Sequence, residues 1–423
     1  MAKVRRDKKN RILNKGEYQR SNGRYEFRYQ DSSGEERCVY SWTLTQTDRP
    51  PNGRQSDKCL REMEKDIAKD LIDSIKTFDV RKVTLNSRFD AYINDKRELK
   101  SSTRTNYKYM YKKYVSESLG KRKIADITYS DIKKFYNDLI LVRGFKPNSM
   151  EIIHTILHPI FTTAVKDGLI RINPTDGAMS EIKRTHNWTK KKRHALTIPE
   201  QRAFVGFIKN NDVYYHWFPV FTVLLGTGMR AGEFTGLRWE DCDFKNNVIS
   251  VNHNLVYRPD EHTGKVTFYI TTPKTEAGIR EIPMISDVRN ALVSEYMRQK
   301  KDGFCEYAIG EYTGFVFSNR DGKPLTAHNL NRAIERIRRD YNIIEADNAV
   351  KEKREPVYLP HFSVHNLRHT FCVRFCENES NIKVIQEIMG HADASTTMDI
   401  YNEATKEFKQ ERMSALEGKI IVY

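Results

Sequence analysis

Thirteen residues near the middle of the chain, KRTHNWTKKKRHA (residues 183–195), limit the fold more than any other stretch. They are polar and cationic, with no apolar period that a helix or strand could bury. The next residues, TIPE (197–200), have the pattern of a capping box, with Thr197 as N-cap and Glu200 three positions later, so a new helix is predicted to begin there. A chain interrupted in this way does not close around one core. With 423 residues and 39% hydrophobic side chains it has material for several. The sequence predicts a multidomain protein, mainly α with small β elements. A small module spans residues 1–80, a helical bundle 84–183, a basic linker 184–195, and a mixed α/β domain 196–423.

In the first module, GRYEFRYQ (residues 23–30) alternates Tyr25, Phe27 and Tyr29 with Arg24, Glu26 and Arg28. DSSGEE supplies a turn before RCVYSWTL (residues 37–44), which predicts a hairpin within a small, three-stranded sheet. A helix starting near Ser56 or Asp57 is expected to follow, because Leu60, Met63, Ile67, Leu71 and Ile75 recur at helical steps. That helix would cover the aromatic face. Arg24, Arg28 and Arg37 are expected on the other face, where a sheet of this size can enter a DNA major groove. In the bundle, TRTNYKYMYKKYV (residues 103–115) places Tyr107, Met110, Tyr111 and Tyr114 at helical spacing with Lys108, Lys112 and Lys113 beside them. MEIIHTILHPIFTTAVKDGLI (residues 150–170) reads as an apolar helix with Pro159 as a candidate kink. The lysines of the bundle, with Lys190, Lys191, Lys192 and Arg193 of the linker, are candidates for phosphate contacts.

The net charge of +16, from 72 Lys and Arg against 56 Asp and Glu, is spread along the whole chain and points to a polyanionic partner. A membrane is the weaker choice: the longest apolar candidate, WFPVFTVLLG (residues 217–226), falls well short of the roughly 18 residues of a spanning helix and reads as a core helix. The N-terminal stretch has charges without an apolar segment, so a cytoplasmic location is expected. Six scattered cysteines do not form a disulfide framework in a chain this long, and Cys372 and Cys376, four apart, are expected to be buried in a helix.

Four islands in the last domain carry chemistry. LLGTGMRAGEFTGLRWEDCDF (residues 224–244) sets Arg230 after a Gly-Thr-Gly break and Glu233 three residues on. FYITTPKTEAGIREIP (residues 268–283) predicts a strand, a turn through Glu276, Ala277 and Gly278, and a returning strand, with Lys274 just before the turn. SVHNLRHTFC (residues 363–372) puts His365 and Arg368 on one helix face, capped by Ser363, with His369 alongside. His361, His365 and His369 have a spacing that raises zinc. Pro360 argues against a helical His361, and no cysteine or carboxylate pair completes such a site. IMGHADASTTMDIYNEAT (residues 388–405) ends the series with His391 and Tyr401. A phenol with an ordinary pKa of about 10 needs cations nearby to act as a nucleophile. Each island alone is ordinary.

Together they resemble the tyrosine recombinases, the DNA integrase family, whose site runs Arg, Lys, His-x-x-Arg, His or Trp, and Tyr. Arg230, Lys274, His365 with Arg368, His391 and Tyr401 fill those places in order. His391 and Tyr401 are ten positions apart where the best-known members have nine. The resemblance implies a helical core-binding (SAM-like) domain in residues 84–183, a catalytic domain in 196–423, and an arm-type DNA-binding module in 1–80. GEYQRSNGRYEFRYQDSSGE and VYSWTL are similar to conjugative-transposon integrases. It further implies integration and excision of a mobile element on double-stranded DNA with core-type and arm-type sites, by a homotetramer. An excisionase and a host DNA-bending protein are candidate helpers.

In the implied reaction Arg230 and Arg368 hold the non-bridging oxygens, which paired guanidinium donors suit. Tyr401 attacks and becomes joined to the 3′ phosphate, while Lys274 protonates the 5′ oxygen. His365 takes the phenolic proton, His391 donates to the phosphate, and Glu233 orients a neighbour. No cofactor is expected, since the phosphotyrosine stores the energy of the broken link. The C-terminal KIIVY is expected to reach a neighbouring protomer. A type IB topoisomerase shares this chemistry but needs no separate basic module. A DNA-binding regulator with a decayed site would not keep all six reactive types, and a metal-dependent nuclease fits less well.

Overall fold

The computed structural model of the chain describes residues 4–31, 34–54, 58–72, 83–186, 188, 194–260, 263–273, 275–379 and 381–407. The chain divides into two compact units, residues 1–190 and 191–423.

The first unit begins with an antiparallel sheet of β1 (Glu17–Gln19), β2 (Tyr25–Gln30) and β3 (Glu36–Ser41), in that order. Tyr25, Phe27 and Tyr29 share one face, and the helix Leu60–Ile72 covers it with Leu60, Met63, Ile67 and Leu71. Ser56, Asp57 and Ile75 lie outside the described residues. The register corrects one expectation. Residues directly opposite in a ladder share a face, and Arg37 stands opposite Tyr29, while Arg28 stands opposite Cys38. Arg37 is therefore on the aromatic face, at its edge, ion-paired with Asp31 at 3.0 Å and with Glu35. The turn between β2 and β3 pairs odd residues with odd ones, a parity that alternation within each strand does not reveal.

Five α-helices follow: Leu85–Asp95, Ser101–Tyr114, Tyr129–Leu141, Pro147–Lys166 and Ala178–Thr185. Their apolar stripes form a separate core around Phe89, Tyr111, Tyr136, Ile156 and Phe161. Pro159 lies inside the single helix Pro147–Lys166. The last helix extends to Thr185, so the first residues of the cationic stretch are helical, and Trp188 packs on the same core. Lys190, Lys191, Lys192 and Arg193 lie outside the described residues.

The second unit opens on the capping box read from the sequence. The Thr197 hydroxyl accepts from the Glu200 N–H, the Glu200 carboxylate accepts from the Thr197 N–H, and the helix Ile198–Lys209 starts there. The apolar helix Phe218–Thr227 is buried in the largest core, against the helix Ser286–Asp302.

The strands differ from the prediction. Residues 266–271 (β7) and 280–283 (β8) do not pair with each other: β7 pairs with β6 (Asn254–Pro259), and β8 pairs with β5 (Val248–Val251), itself beside β4 (Cys242–Asp243). The chain runs out along β5 and β6 and returns along β7 and β8, so the reversal falls between β6 and β7, where Gly264 has a φ of +68°. The segment Glu276–Gly278 is a 3-10 turn joining the two sheets, not a hairpin tip. Pro273 has no N–H to donate to a ladder, which helps explain the break in the return limb.

The unit closes with the helices Ala327–Glu352, Val364–Asn378, Ile382–Met389 and Ala394–Glu407, the last packed against the two before it. Among the described residues no helix is long and apolar enough to cross a membrane.

Candidate functional site

Arg230 follows the glycine that ends the helix Phe218–Thr227 and precedes the short helix Ala231–Gly236. Its backbone N–H donates to Glu233 Oε2 at 2.8 Å and its Nη1 to Oε1 at 2.7 Å, so the acid three residues on fixes both ends of the arginine. Glu233 is 3% exposed. A buried carboxylate needs compensation, and it has a second cation: Arg280 Nη2 donates to Oε2 at 2.8 Å and Nη1 to Oε1 at 3.2 Å. Despite burial, Arg280 above all, the Arg230 N–H and the Arg230 charge hold the Glu233 pKa down to about 2. Sequence reasoning assigned Arg280 no role. The signal was there in the alternation of β8, where Arg280 points to the same face as the buried Ile282.

Arg230, Arg280 and Arg368 converge on one turn. The helix Ile382–Met389 ends at Gly390 in the left-handed region, leaving carbonyls without helical partners. Arg280 Nε donates to Ile388 O at 2.7 Å, Arg368 Nη2 to Met389 O at 2.5 Å, and Arg230 Nη2 to Gly390 O at 2.7 Å. Three guanidiniums thus occupy three successive carbonyls at the negative end of a helix dipole. Arg368 also donates from Nη1 to Gly228 O at 2.7 Å, at the end of a second helix. Gly390 allows this approach, since a Cβ there would lie 2.8 Å from Ala277 O and 2.9 Å from Arg280 Nη1.

The electrostatics follow from that crowding. Burial, then the Arg230 charge, draw Arg368 down to about 9, which leaves it charged at neutral pH. His391 is drawn down to about 4 by burial, then by Arg368, Arg230 and Arg280, and is neutral at pH 7. Its Nδ1 lies 2.9 Å from Thr397 Oγ1. When that hydroxyl donates, the ring proton resides on Nε2 and the imidazole presents a donor. Repulsion among cations gathered this closely is relieved by an anion between them.

Ser363 caps the helix Val364–Asn378 through Asn366, and His365, on its first turn, is exposed while Arg368 and His369 are buried. His361 lies before the helix, 84% exposed. Tyr401 is on the third turn of the helix Ala394–Glu407, half-buried with Ile400 against Cys372, Val373, Cys376 and Met389. Lys274 lies outside the described residues, as do residues 408–423 with the KIIVY end. Ala277, three positions after Lys274, meets the Gly390 turn. The structure therefore brings Arg230, Glu233, Arg368 and His391 together, with Tyr401 on a helix that packs against the one carrying Arg368.

In the first unit, Arg24 lies 4.8 Å from the Tyr40 ring and 5.7 Å from Trp42, and Arg28 lies 4.9 Å from Tyr18. Buried Glu26, between Arg20 and Arg28, neutralises part of this face. Lys108 and Lys112 are exposed one turn apart, while Lys113 Nζ donates to Tyr109 at 2.8 Å.

Three family models match the chain: the DNA binding domain of tn916 integrase over residues 1–71, the phage integrase N-terminal SAM-like domain over 84–140, and the phage integrase family over 195–407. The transposase from transposon Tn1545 of Streptococcus agalactiae is 32% identical over 98% of this chain and all of its own. The transposase from transposon Tn916 of Enterococcus faecalis is 32% identical over the same shares. Among solved structures, the Tn1549 transposon integrase in complex with a circular intermediate DNA superposes with a TM-score of 0.66 at 27% identity, covering 78% of this chain and all of that one.

Proposed function

We propose the reaction of this site from one premise: the chain belongs to the phage integrase family, the tyrosine recombinases. It is a site-specific recombinase of the conjugative-transposon kind, which integrates and excises its element by cutting and rejoining double-stranded DNA. The observation that carries the mechanism is the fastening of Arg230 and Arg368 to adjacent carbonyls, Gly390 and Met389. Two guanidiniums held this way are oriented before substrate arrives, and preorganised donors of this type contribute roughly 3 or 4 kcal/mol each to transition-state stabilisation.

A phosphodiester between them places its non-bridging oxygens on Arg230 and Arg368, with His391 as a third donor. The Tyr401 oxygen forms the new bond to phosphorus as the bond to the 5′ oxygen breaks. The phenolic proton passes to His365, and Lys274 supplies a proton to the departing 5′ oxygen. The reverse step, with a 5′ hydroxyl from another duplex as nucleophile, releases Tyr401 and joins the strands. Four such cleavages imply four protomers on two duplexes. Residues 1–80 act as the arm-type module, 84–183 as the core-binding domain, 184–195 as the linker and 196–423 as the catalytic domain. The reaction belongs in the cytoplasm of a bacterium, on nucleoid DNA, with an excisionase and a DNA-bending protein as helpers.

The test is incubation of the protein with a suicide DNA half-site whose cleaved fragment diffuses away. A covalent product forms, survives chelator, and maps by peptide digestion to Tyr401. An adduct on another residue, or cleavage without one, overturns the mechanism. Lys274→Ala is expected to slow cleavage of an ordinary strand by about 10²- to 10⁴-fold and of a strand with a 5′-sulfur leaving group far less, because a thiolate departs without a proton. Equal slowing removes the general-acid role from Lys274.

A further inference from the structure

Away from the arginine turn, the second unit has a cleft of about 780 Å³ whose wall includes Arg298, Arg320, Arg332, Arg336, His216 and Trp217. Trp217 immediately precedes the helix Phe218–Thr227, whose far end leads to Arg230, and ten helical residues set the two about 15 Å apart. The cleft is therefore separate from the candidate catalytic site.

Glu295 also lines the cleft and balances only one of its four arginines. Arg298 is neutralised by Glu295 at 2.6 Å, on the same helix. Arg320, Arg332 and Arg336 are exposed and have no hydrogen-bond or ion-pair partner among the described residues. Arg332 and Arg336 stand one turn apart on the helix Ala327–Glu352, and Arg320 comes from the turn before it, so two elements aim guanidiniums at one space. Most other arginines of this unit, such as Arg338 and Arg354, have a carboxylate in reach. The Arg320, Arg336 and Arg298 charges all bear on His216 and, after burial, lower its pKa. The indole N–H of Trp217 is buried with no acceptor among the described residues.

We propose that this cleft is a second anion site, which takes phosphate groups on Arg320, Arg332 and Arg336. Guanidiniums without carboxylate partners suit phosphate because their planar forks donate two parallel hydrogen bonds. Two sources share that chemistry: a DNA strand held outside the catalytic pocket, and a free phosphorylated molecule. The DNA source rests on the recombinase reading above; the free source does not.

The experiment uses the full chain and the triple variant Arg320→Gln, Arg332→Gln, Arg336→Gln, with each single variant as a check on folding by melting temperature. Titration calorimetry with inorganic tripolyphosphate reports the cleft as the binding that the variant loses, at least tenfold in affinity. In parallel, DNA affinity is measured against salt. Each phosphate contact contributes about 0.9 to the slope of log K against log salt, so a DNA source lowers the slope by about 2 to 3 in the triple variant. Loss of tripolyphosphate binding with an unchanged slope assigns the cleft to a free ligand. If the folded variant matches the wild type in both, the proposal is overturned. Adduct formation by the wild type on the suicide half-site reports separately on the recombinase reading.

Discussion

Phenylalanine in place of Tyr401 eliminates the covalent protein–DNA product, by at least about 10³-fold, because loss of a nucleophile is not rescued by the rest of a site. Duplex binding stays within about twofold. The two effects separate because Tyr401 is half-buried, and its ring packs with Ile400 on the helix carrying Arg368. The substitution keeps the ring and its packing and removes only the hydroxyl, so stability should shift by no more than about 1 kcal/mol. The measurements are a denaturing gel of the suicide half-site reaction, a melting curve and a DNA titration. Adduct from the Tyr401→Phe protein would assign the nucleophile elsewhere. Unchanged activity on an integrated element would favour a regulator. A topoisomerase predicts the same loss of adduct, so the two enzymes are distinguished by whether the wild type joins strands from two duplexes.

Much of this site was legible because reactive residue types stood in one order along the sequence, each beside a local structural cue. Arg230 and Glu233 follow a glycine break, and Ser363 caps the helix with His365 and Arg368 on its first turns. Gly390 ends the helix before His391. These cues act within one turn of chain, which is the range over which sequence patterns hold. What was missed depended on pairing between distant segments. The strands β7 and β8 were read as partners because they are adjacent in sequence, whereas each pairs with a strand on the outward limb. Arg37 was assigned to the wrong face because the parity of the β2–β3 register is fixed by the turn. Arg280 was overlooked for a related reason: its partners Glu233 and Ile388 lie 47 and 108 positions away. A strand arginine at an inward position is a usable signal, since such a charge requires a buried acid.

That buried acid provides the second large effect. Glu233→Gln leaves Arg280, 5% exposed at its side chain, and the neighbouring Arg230 and Arg368 without the carboxylate that balances them. Removing one partner of a buried pair costs about 3–5 kcal/mol, since the remaining charge stays desolvated. An amide also turns an N–H₂ toward guanidinium donors. For a unit of this size such a loss lowers the melting temperature by about 10 °C. The pH dependence has a definite sign. The Glu233 pKa is depressed to about 2 in the folded chain from an ordinary value of 4.5, so its contribution is complete above about pH 4.5 and is lost as pH falls through about 2. That loss amounts to about 3 kcal/mol. Urea unfolding between pH 7 and 2 should show this acid limb in the wild type and a shallower one in Glu233→Gln. Combining Glu233→Gln with Arg280→Gln should cost less than the sum of the two, because the second change removes the charge stranded by the first. Cleavage should fall in the single variant even at temperatures where it is fully folded, since Arg230 would lose its ionic partner and one of the two carboxylate oxygens that hold it. A Glu233→Gln protein with wild-type melting, an unaltered acid limb and strictly additive pairing with Arg280→Gln would show that the carboxylate does not hold the arginine turn together.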